Sequence, residues 1–199
     1  MKKFWDDRYN AESFAYGTNP NDFLAIASQH LRKSSDILTI GEGEGRNAVF
    51  LAKQGHDVVA TDQSDIGMAK AHKLAEQSGC TIKTIAADLA EFDFGSECYD
   101  AVVSIFCHLP EELRKKVHSE IKISLRKGGL YIIESYSPDQ LSHNTGGPKD
   151  VSWLVTLDEL QQKFSDFEIL HGESLVREVV EGSHHTGSAA VTQFIGRKK

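Results

Sequence analysis

The chain has 199 residues, of which 40% are hydrophobic and 26% charged, and its formal net charge is −7. This composition is typical of one globular domain and excludes a largely disordered chain. Apolar runs stay far below the ~18 residues that span a bilayer, and the first residues lack the apolar stretch of a secretory signal. The acidic balance disfavours a nucleic-acid or anionic-membrane partner.

The three cysteines (Cys80, Cys98 and Cys107) are odd in number and lack the spacing of a metal site. We therefore expect reduced thiols, no structural metal and a cytoplasmic location. For partners we expect a small-molecule substrate and a chain that is a monomer or a homodimer.

Short β-branched runs alternate with longer amphipathic stretches, which is typical of βαβ units and a mostly parallel sheet. The first 35 residues form an extension with one helix over residues 22–33. The predicted elements then follow as a strand over 37–40, a helix ending near Gly55, a strand over 57–61, a helix over 66–78, strands over 81–86 and 99–105, a helix over 110–126 and a strand over 130–134.

The last part of the chain has a different pattern. A short helix is predicted over residues 157–164, and two extended runs follow over 167–180 and 188–197. The loop between them, 181–187, contains two glycines, which favours a hairpin. The parallel strands are therefore expected to end in an antiparallel pair.

A glycine-rich loop follows the first predicted strand and opens a helix. Gly41, Gly43 and Gly45 permit a tight turn and a close approach of a ligand to the backbone. The next strand ends at Asp62, 21 positions after Gly41. A carboxylate at that point can accept hydrogen bonds from both hydroxyls of a ribose, although it could also cap the following helix. This order of elements predicts an adenosine ligand.

The loop chemistry discriminates between adenosine cofactors. The dinucleotide spacing G-x-G-x-x-G would place a glycine where Arg46 stands. Glu42 and Glu44 would repel a pyrophosphate, whereas they suit the sulfonium and ammonium of S-adenosylmethionine. We expect Arg46 to be a solvated residue of the first helical turn.

These motifs carry a family resemblance. Together with residues 4–9, 16–24, 87–89 and 125–129, the loop and Asp62 resemble class I S-adenosylmethionine-dependent methyltransferases, in the tellurite-resistance (TehB-like) branch. The resemblance implies an α/β, Rossmann-like fold with helices on both faces of a mostly parallel seven-stranded sheet whose last strand is antiparallel. It also implies a single domain over 1–199, in which residues 1–35 close over the cofactor and residues 36–199 form the core.

The resemblance also implies roles for individual residues. The glycines would line the methionine end of the cofactor, Asp62 would bind the ribose, and Asp88 would accept from the adenine unless it merely forms a turn. The family usually has an acid two residues before the first glycine, but Thr39 stands there, and we hypothesise that Glu42 replaces it. The remaining cofactor candidates are Tyr16, Asn47, Gln63, Ser64, Ala87, Leu89, Ser104 and Phe106.

Candidate catalytic residues lie where ligands bind in open α/β sheets, beyond the carboxyl ends of strands. His108 follows the fourth strand and is a candidate general base. Glu134 and Tyr136 end the fifth strand, and His185 could reach the site from the hairpin. We reject a metal site at His184 and His185, because adjacent side chains diverge and a third ligand is not evident.

The sequence thus predicts methyl transfer from S-adenosylmethionine to a small-molecule acceptor, which the resemblance suggests is a thiol or a chalcogen oxyanion. Three alternatives stay open: an NAD(P)-dependent oxidoreductase, a non-catalytic module that binds S-adenosylmethionine, and a methyltransferase that acts on nucleic acid or protein.

Overall fold

The computed structural model describes residues 1–143, 145–182 and 185–199. Its helices are α1 (Lys2–Tyr9), α2 (Asp22–Ala27), α3 (Arg46–Lys53), α4 (Asp65–Gln77), α5 (Glu111–Ser124) and α6 (Leu157–Lys163). Its strands are β1 (Asp36–Ile40), β2 (Asp57–Asp62), β3 (Lys83–Ala86), β4 (Tyr99–Ile105), β5 (Leu125–Tyr136), β6 (Phe167–Glu181) and β7 (His185–Lys198).

Within the described residues, these strands form a seven-stranded sheet in the order β3-β2-β1-β4-β5-β7-β6. The first five strands pair in parallel, whereas β7 is antiparallel to both β5 and β6. The order reverses direction at β1 and β4, which is the point where open α/β sheets bind ligands. The predicted mostly parallel sheet with an antiparallel last strand is confirmed.

Apolar side chains pack against both faces of the sheet because successive residues of a buried strand point to opposite sides. In β1, Ile37 packs in a cluster with Leu51 of α3 and Met68 of α4. The next residue, Leu38, packs on the other face with Ile121 of α5. The strands therefore read as continuous apolar runs, and the helices cover the sheet from both sides.

The structure corrects the bounds of two predicted helices. The helix predicted over 22–33 ends at Ala27 and continues only as a 3₁₀ turn over Ser28–His30, because Leu31 adopts an extended backbone. The helix predicted over 110–126 ends at Ser124, and β5 begins at the next residue.

Two further features were not predicted. β5 starts earlier than the predicted 130 because Arg126 is drawn to the amino-terminal edge of the sheet, where its Nη1 lies 2.7 Å from Asp36 and 3.0 Å from Asp100. Helix α1 was missed because it is mostly polar and Tyr9 is its buried residue. Among the described residues, no helix is long and apolar enough to cross a membrane, and no group of three or more His, Cys, Asp or Glu side chains could hold a metal ion.

Candidate active site

The loop between β1 and α3 is shaped by left-handed backbone at its glycines. Gly41 and Gly43 have φ angles of +60° and +63°, a region that L side chains rarely adopt. A Cβ atom at Gly41 would lie 2.5 Å from Cys107 Sγ, and one at Gly43 would lie 2.6 Å from the Tyr9 hydroxyl. Both conformation and space therefore require glycine, and α1 lies directly on the loop.

Glu42 folds back onto the helix that follows the loop. Its Oε1 accepts from the backbone N–H groups of Asn47 at 3.0 Å and Ala48 at 2.9 Å, which caps the first turn of α3. Burial raises the pKa of Glu42 to about 7, although these hydrogen bonds and neighbouring Thr39 act in the opposite direction. A carboxyl that is only partly ionised at neutral pH thus sits in the loop, beside the position where the family has its acid.

Asp62 ties the end of β2 to the loop. Its Oδ2 accepts from Gly43 N at 3.0 Å, and its Oδ1 accepts from Ser64 N at 2.9 Å. Burial raises the pKa of this carboxyl as well. Ser64 caps α4 by accepting from Gly67 N at 3.0 Å and donates to Asp6 of α1 at 2.6 Å. The alternative in which Asp62 itself caps this helix is therefore wrong, because Ser64 occupies that position.

The segment after β3 lies beside this carboxylate. Ala87 donates its N–H to the Asp62 carbonyl at 2.9 Å, Gln63 is half-buried and Leu89 is buried. Asp88 is exposed, and its Oδ1 accepts from Ala90 N at 2.9 Å in a turn. The residues predicted to contact the adenine thus lie close together after β2 and β3. Asp88 forms a turn there, and its role toward adenine stays a prediction.

A cluster of rings lies beyond the ends of β4 and β5 and contains all three predicted catalytic residues. Phe106, which has a strained φ of +51°, lies 4.7 Å from Tyr136 and 5.0 Å from His185 between ring centroids. His108 stacks on Tyr136 at 5.2 Å, and Tyr16 lies 4.5 Å from His185. We call this set the aromatic cluster. Ser104, by contrast, is buried in β4 beside Tyr131.

His108 is held as a neutral ring. Its Nε2 accepts from the backbone N–H of Tyr136 at 3.3 Å. Burial, together with the nearby His185 and Arg114, lowers the pKa of His108 to about 3. His108 would have to release this hydrogen bond before it could act as a general base.

His185 lies in a different environment, on the same cluster but next to a carboxylate. Its Nδ1 is 3.7 Å from Glu181 Oε2. Burial alone would raise the pKa of Glu181, but His185 and Arg46 hold it at about 2. A carboxylate this close stabilises a protonated imidazole by its charge, which suits a general base. The neighbouring His184 lies outside the described residues.

A buried polar network lies next to the aromatic cluster. Glu134 accepts from Arg177 Nε at 2.8 Å and Nη2 at 2.7 Å, and also from Gln193 at 2.6 Å. The side-chain NH₂ of Asn21 donates to Glu134 at 2.5 Å and to Glu181 at 2.8 Å. Glu134 was predicted from the sequence, but its partners were not, because Arg177 lies within β6, Gln193 within β7 and Asn21 at the N-cap of α2.

Two expectations about the loop charges were wrong. Arg46 is buried rather than solvated, and its Nη2 donates to Glu181 Oε2 at 2.5 Å. Glu44 points away from the loop, because it accepts from Ala15 N at 2.7 Å and pairs with Lys70 at 2.5 Å. The loop therefore presents Glu42 rather than two acids. Asn47 is buried, and its Oδ1 anchors the N-terminal segment by accepting from Asn21 N at 2.9 Å.

Comparison with known proteins adds independent information. A family model described as a methyltransferase domain matches residues 37–129. The probable S-adenosyl-L-methionine-dependent methyltransferase TehB of Haemophilus influenzae is 27% identical over 137 residues, which cover 67% of this chain and 46% of that protein. A glycine/sarcosine N-methyltransferase of Parasynechococcus marenigrum is 29% identical over 139 residues, which cover 67% of this chain and 47% of that protein. The chain thus spans about half the length of these relatives.

Solved structures share the fold. The crystal structure of TehB from H. influenzae has a TM-score of 0.75 and 22% identity, and covers 100% of this chain and 67% of that chain. A structure from work on the conversion of a disulfide bond into a thioacetal group during echinomycin biosynthesis has a TM-score of 0.79 and 16% identity, and covers 100% and 92% of the two chains. At these identities the likeness concerns the fold alone.

Proposed function

We propose that the chain, whose residues 37–129 match a methyltransferase-domain model, is a class I S-adenosylmethionine-dependent methyltransferase similar to TehB and transfers a methyl group from S-adenosylmethionine to a small-molecule acceptor. The observation that carries the proposal is the pair of carboxylates at the glycine loop, half-buried Glu42 and buried Asp62. Both accept backbone N–H groups, and neither forms an ion pair with a basic side chain in the described part of the chain. A cationic adenosine ligand satisfies both.

The residues at the loop fit this cofactor. The backbone of Gly41 and Gly43 offers close approach, Asp62 would bind the ribose, and Glu42 would bind the amino-acid end. The cofactor supplies an activated methyl group on a sulfonium, so the chain's own task is to position the reactants and exclude water. Helix α1 contributes to this exclusion, since Tyr9 lies on the loop and Asp6 is bonded to Ser64.

A dinucleotide cofactor fits less well. Glu44 is turned away, but Glu42 stays in the loop, where a pyrophosphate would need free N–H groups and would be repelled by a carboxylate. The first helical turn of α3 also has its N–H groups at Asn47 and Ala48 bonded to Glu42. An NAD(P)-dependent oxidoreductase is therefore the weaker candidate.

For the acceptor we propose a thiol or a chalcogen oxyanion. The aromatic cluster gives the acceptor side an apolar wall, and the acids behind it are compensated, Glu134 by Arg177 and Glu181 by Arg46. A dry, neutral wall favours attack of a soft anion on a sulfonium, because the reacting charges cancel.

His185 is the proposed base for an acceptor that arrives protonated. Glu181 lies beside its Nδ1, and its ring faces Phe106 and Tyr136. The proton would pass from the acceptor to the imidazole before or during methyl transfer. His108 and Tyr136 would then shape the wall around the acceptor.

The test is a methyl-transfer screen with the purified chain, S-adenosylmethionine and a panel of thiols, selenite and tellurite. We expect release of S-adenosylhomocysteine and a methylated product that mass spectrometry detects, both reduced in Asp62→Asn. Cofactor binding without product from any acceptor would support a non-catalytic module. Fluorescence enhancement of NADH, with S-adenosylmethionine left unbound, would support the oxidoreductase.

A further inference from the structure

Arg46 has a guanidinium that the fold uses only in part. The side chain is 9% exposed and stands at the first position of α3, directly after the glycine loop. Its Nη2 donates to Glu181, whereas its Nη1 is fully buried and has no hydrogen-bond partner among the described residues. A buried N–H donor that lacks an acceptor is unfavourable, and native structures rarely keep one without a reason.

The surroundings of Arg46 indicate what the free donor would bind. Its positive charge acts on Glu42 and on Tyr16, and its partner Glu181 lies 3.7 Å from His185, so the guanidinium is near both the loop acid and the aromatic cluster. The helix N–H groups that usually receive an anion at such a place are already bonded to Glu42. An anion that enters here therefore finds Arg46 Nη1 as its donor.

We propose that Arg46 Nη1 binds the carboxylate of the cofactor's methionine moiety, while Glu42 binds its ammonium. The two side chains would form an amino-acid clamp of opposite charges at the start of α3. Guanidinium groups suit this task because they present fixed N–H donors to a carboxylate. The proposal rests on the proposed function, since it names how the donor of that reaction is held.

The test compares two ligands by calorimetry: S-adenosylhomocysteine and its decarboxylated analogue, which keeps the ammonium. In the wild type we expect the carboxylate to improve affinity about 10- to 100-fold. In Arg46→Met this ratio should fall to about twofold or less, whereas affinity for the decarboxylated analogue should change little. Glu181→Gln is the matched control, because it keeps Arg46 and an acceptor for Nη2 and should preserve the ratio.

Arg46→Met leaves Glu181 buried without its partner and could fail to fold. The double variant Arg46→Met/Glu181→Gln removes both charges and allows the same comparison, with circular dichroism to verify folding. A ratio that persists in the folded variant, or that is near one in the wild type, overturns the inference and leaves the proposed function intact. A wild type that binds no S-adenosylhomocysteine refutes the proposed function, and the clamp with it.

Discussion

Glu42 predicts a proton-linked affinity for the cofactor. Burial raises the pKa of this carboxyl from 4.5 to about 7 in the free protein. An ammonium bound beside it would favour the ionised form, so the complex should hold Glu42 as a carboxylate. Cofactor binding must then expel a proton whenever the free protein carries one. Because the free pKa is raised, affinity should be full above pH 7 and should fall as pH decreases below it.

The magnitude follows from that pKa. At pH 6, one unit below it, about nine in ten molecules carry the proton, so binding should release about 0.9 proton. The apparent affinity should be about tenfold weaker than at pH 8, which corresponds to ~1.4 kcal/mol. A further drop of about tenfold is expected between pH 6 and pH 5.

Titration calorimetry with S-adenosylhomocysteine in phosphate and in bis-Tris measures both quantities. The difference in binding heat between the buffers gives the protons released, and the dissociation constants give the slope. In Glu42→Gln the slope between pH 6 and 7.5 should vanish, whereas Glu168→Gln, an exposed acid on β6, should keep it. A wild-type affinity that is constant over this interval, or a slope that survives in Glu42→Gln, would refute the reasoning.

Four further predictions concern single side chains. Asp62→Ala should weaken S-adenosylhomocysteine binding by about 1–3 kcal/mol, the cost of losing charge-assisted hydrogen bonds, and unchanged affinity in calorimetry would remove its ribose role. Glu134→Ala should lower the free energy of unfolding by about 3–5 kcal/mol, because it removes the buried carboxylate that accepts hydrogen bonds from Arg177, Gln193 and Asn21, whereas Glu168→Ala should cost at most about 1 kcal/mol in the same urea titration. His185→Ala should lower kcat about 10²- to 10⁴-fold and leave S-adenosylhomocysteine affinity within a few-fold. His108→Ala should lower kcat while the pH profile keeps its shape, and equal pH profiles for wild type and His185→Ala would exclude His185 as the base.

The architecture of the sheet could be predicted because its signals are local. Strand-length apolar runs alternate with amphipathic stretches, and glycines mark the turns between them, so β1 to β5 were placed within a few residues. The hairpin of β6 and β7 followed from a loop with two glycines, Gly182 and Gly187, both of which have left-handed backbone. Turns at glycines and the lengths of strands are determined by residues that are close in the sequence, so a single sequence is enough to predict them.

The partners of the site residues could not be predicted because they depend on distant contacts. The sequence predicts Arg46 as an exposed residue of a first helical turn, yet the side chain is buried against Glu181, 135 positions away. The sequence predicts that Glu44 faces the ligand from the loop, yet its carboxylate accepts from Ala15 N and pairs with Lys70, on the side of the N-terminal segment. The orientation of a charged side chain depends on partners that are distant in the sequence. The sequence pattern therefore predicts which type of group is present but not which ligand it faces.

Asn21 explains why the two halves of the site should not behave independently. Its backbone N–H bonds to Asn47 in α3, and its side-chain NH₂ bridges Glu134 in β5 and Glu181 in β6. The carbonyl oxygen of the same amide caps α2 by accepting from Leu24 N at 2.9 Å. One buried residue of the N-terminal segment thus connects the helix that follows the cofactor loop to the wall behind the aromatic cluster. Opening this segment would break hydrogen bonds to both parts of the site. The same ordered segment therefore supports the loop proposed to bind the methyl donor and the aromatic cluster proposed to face the acceptor.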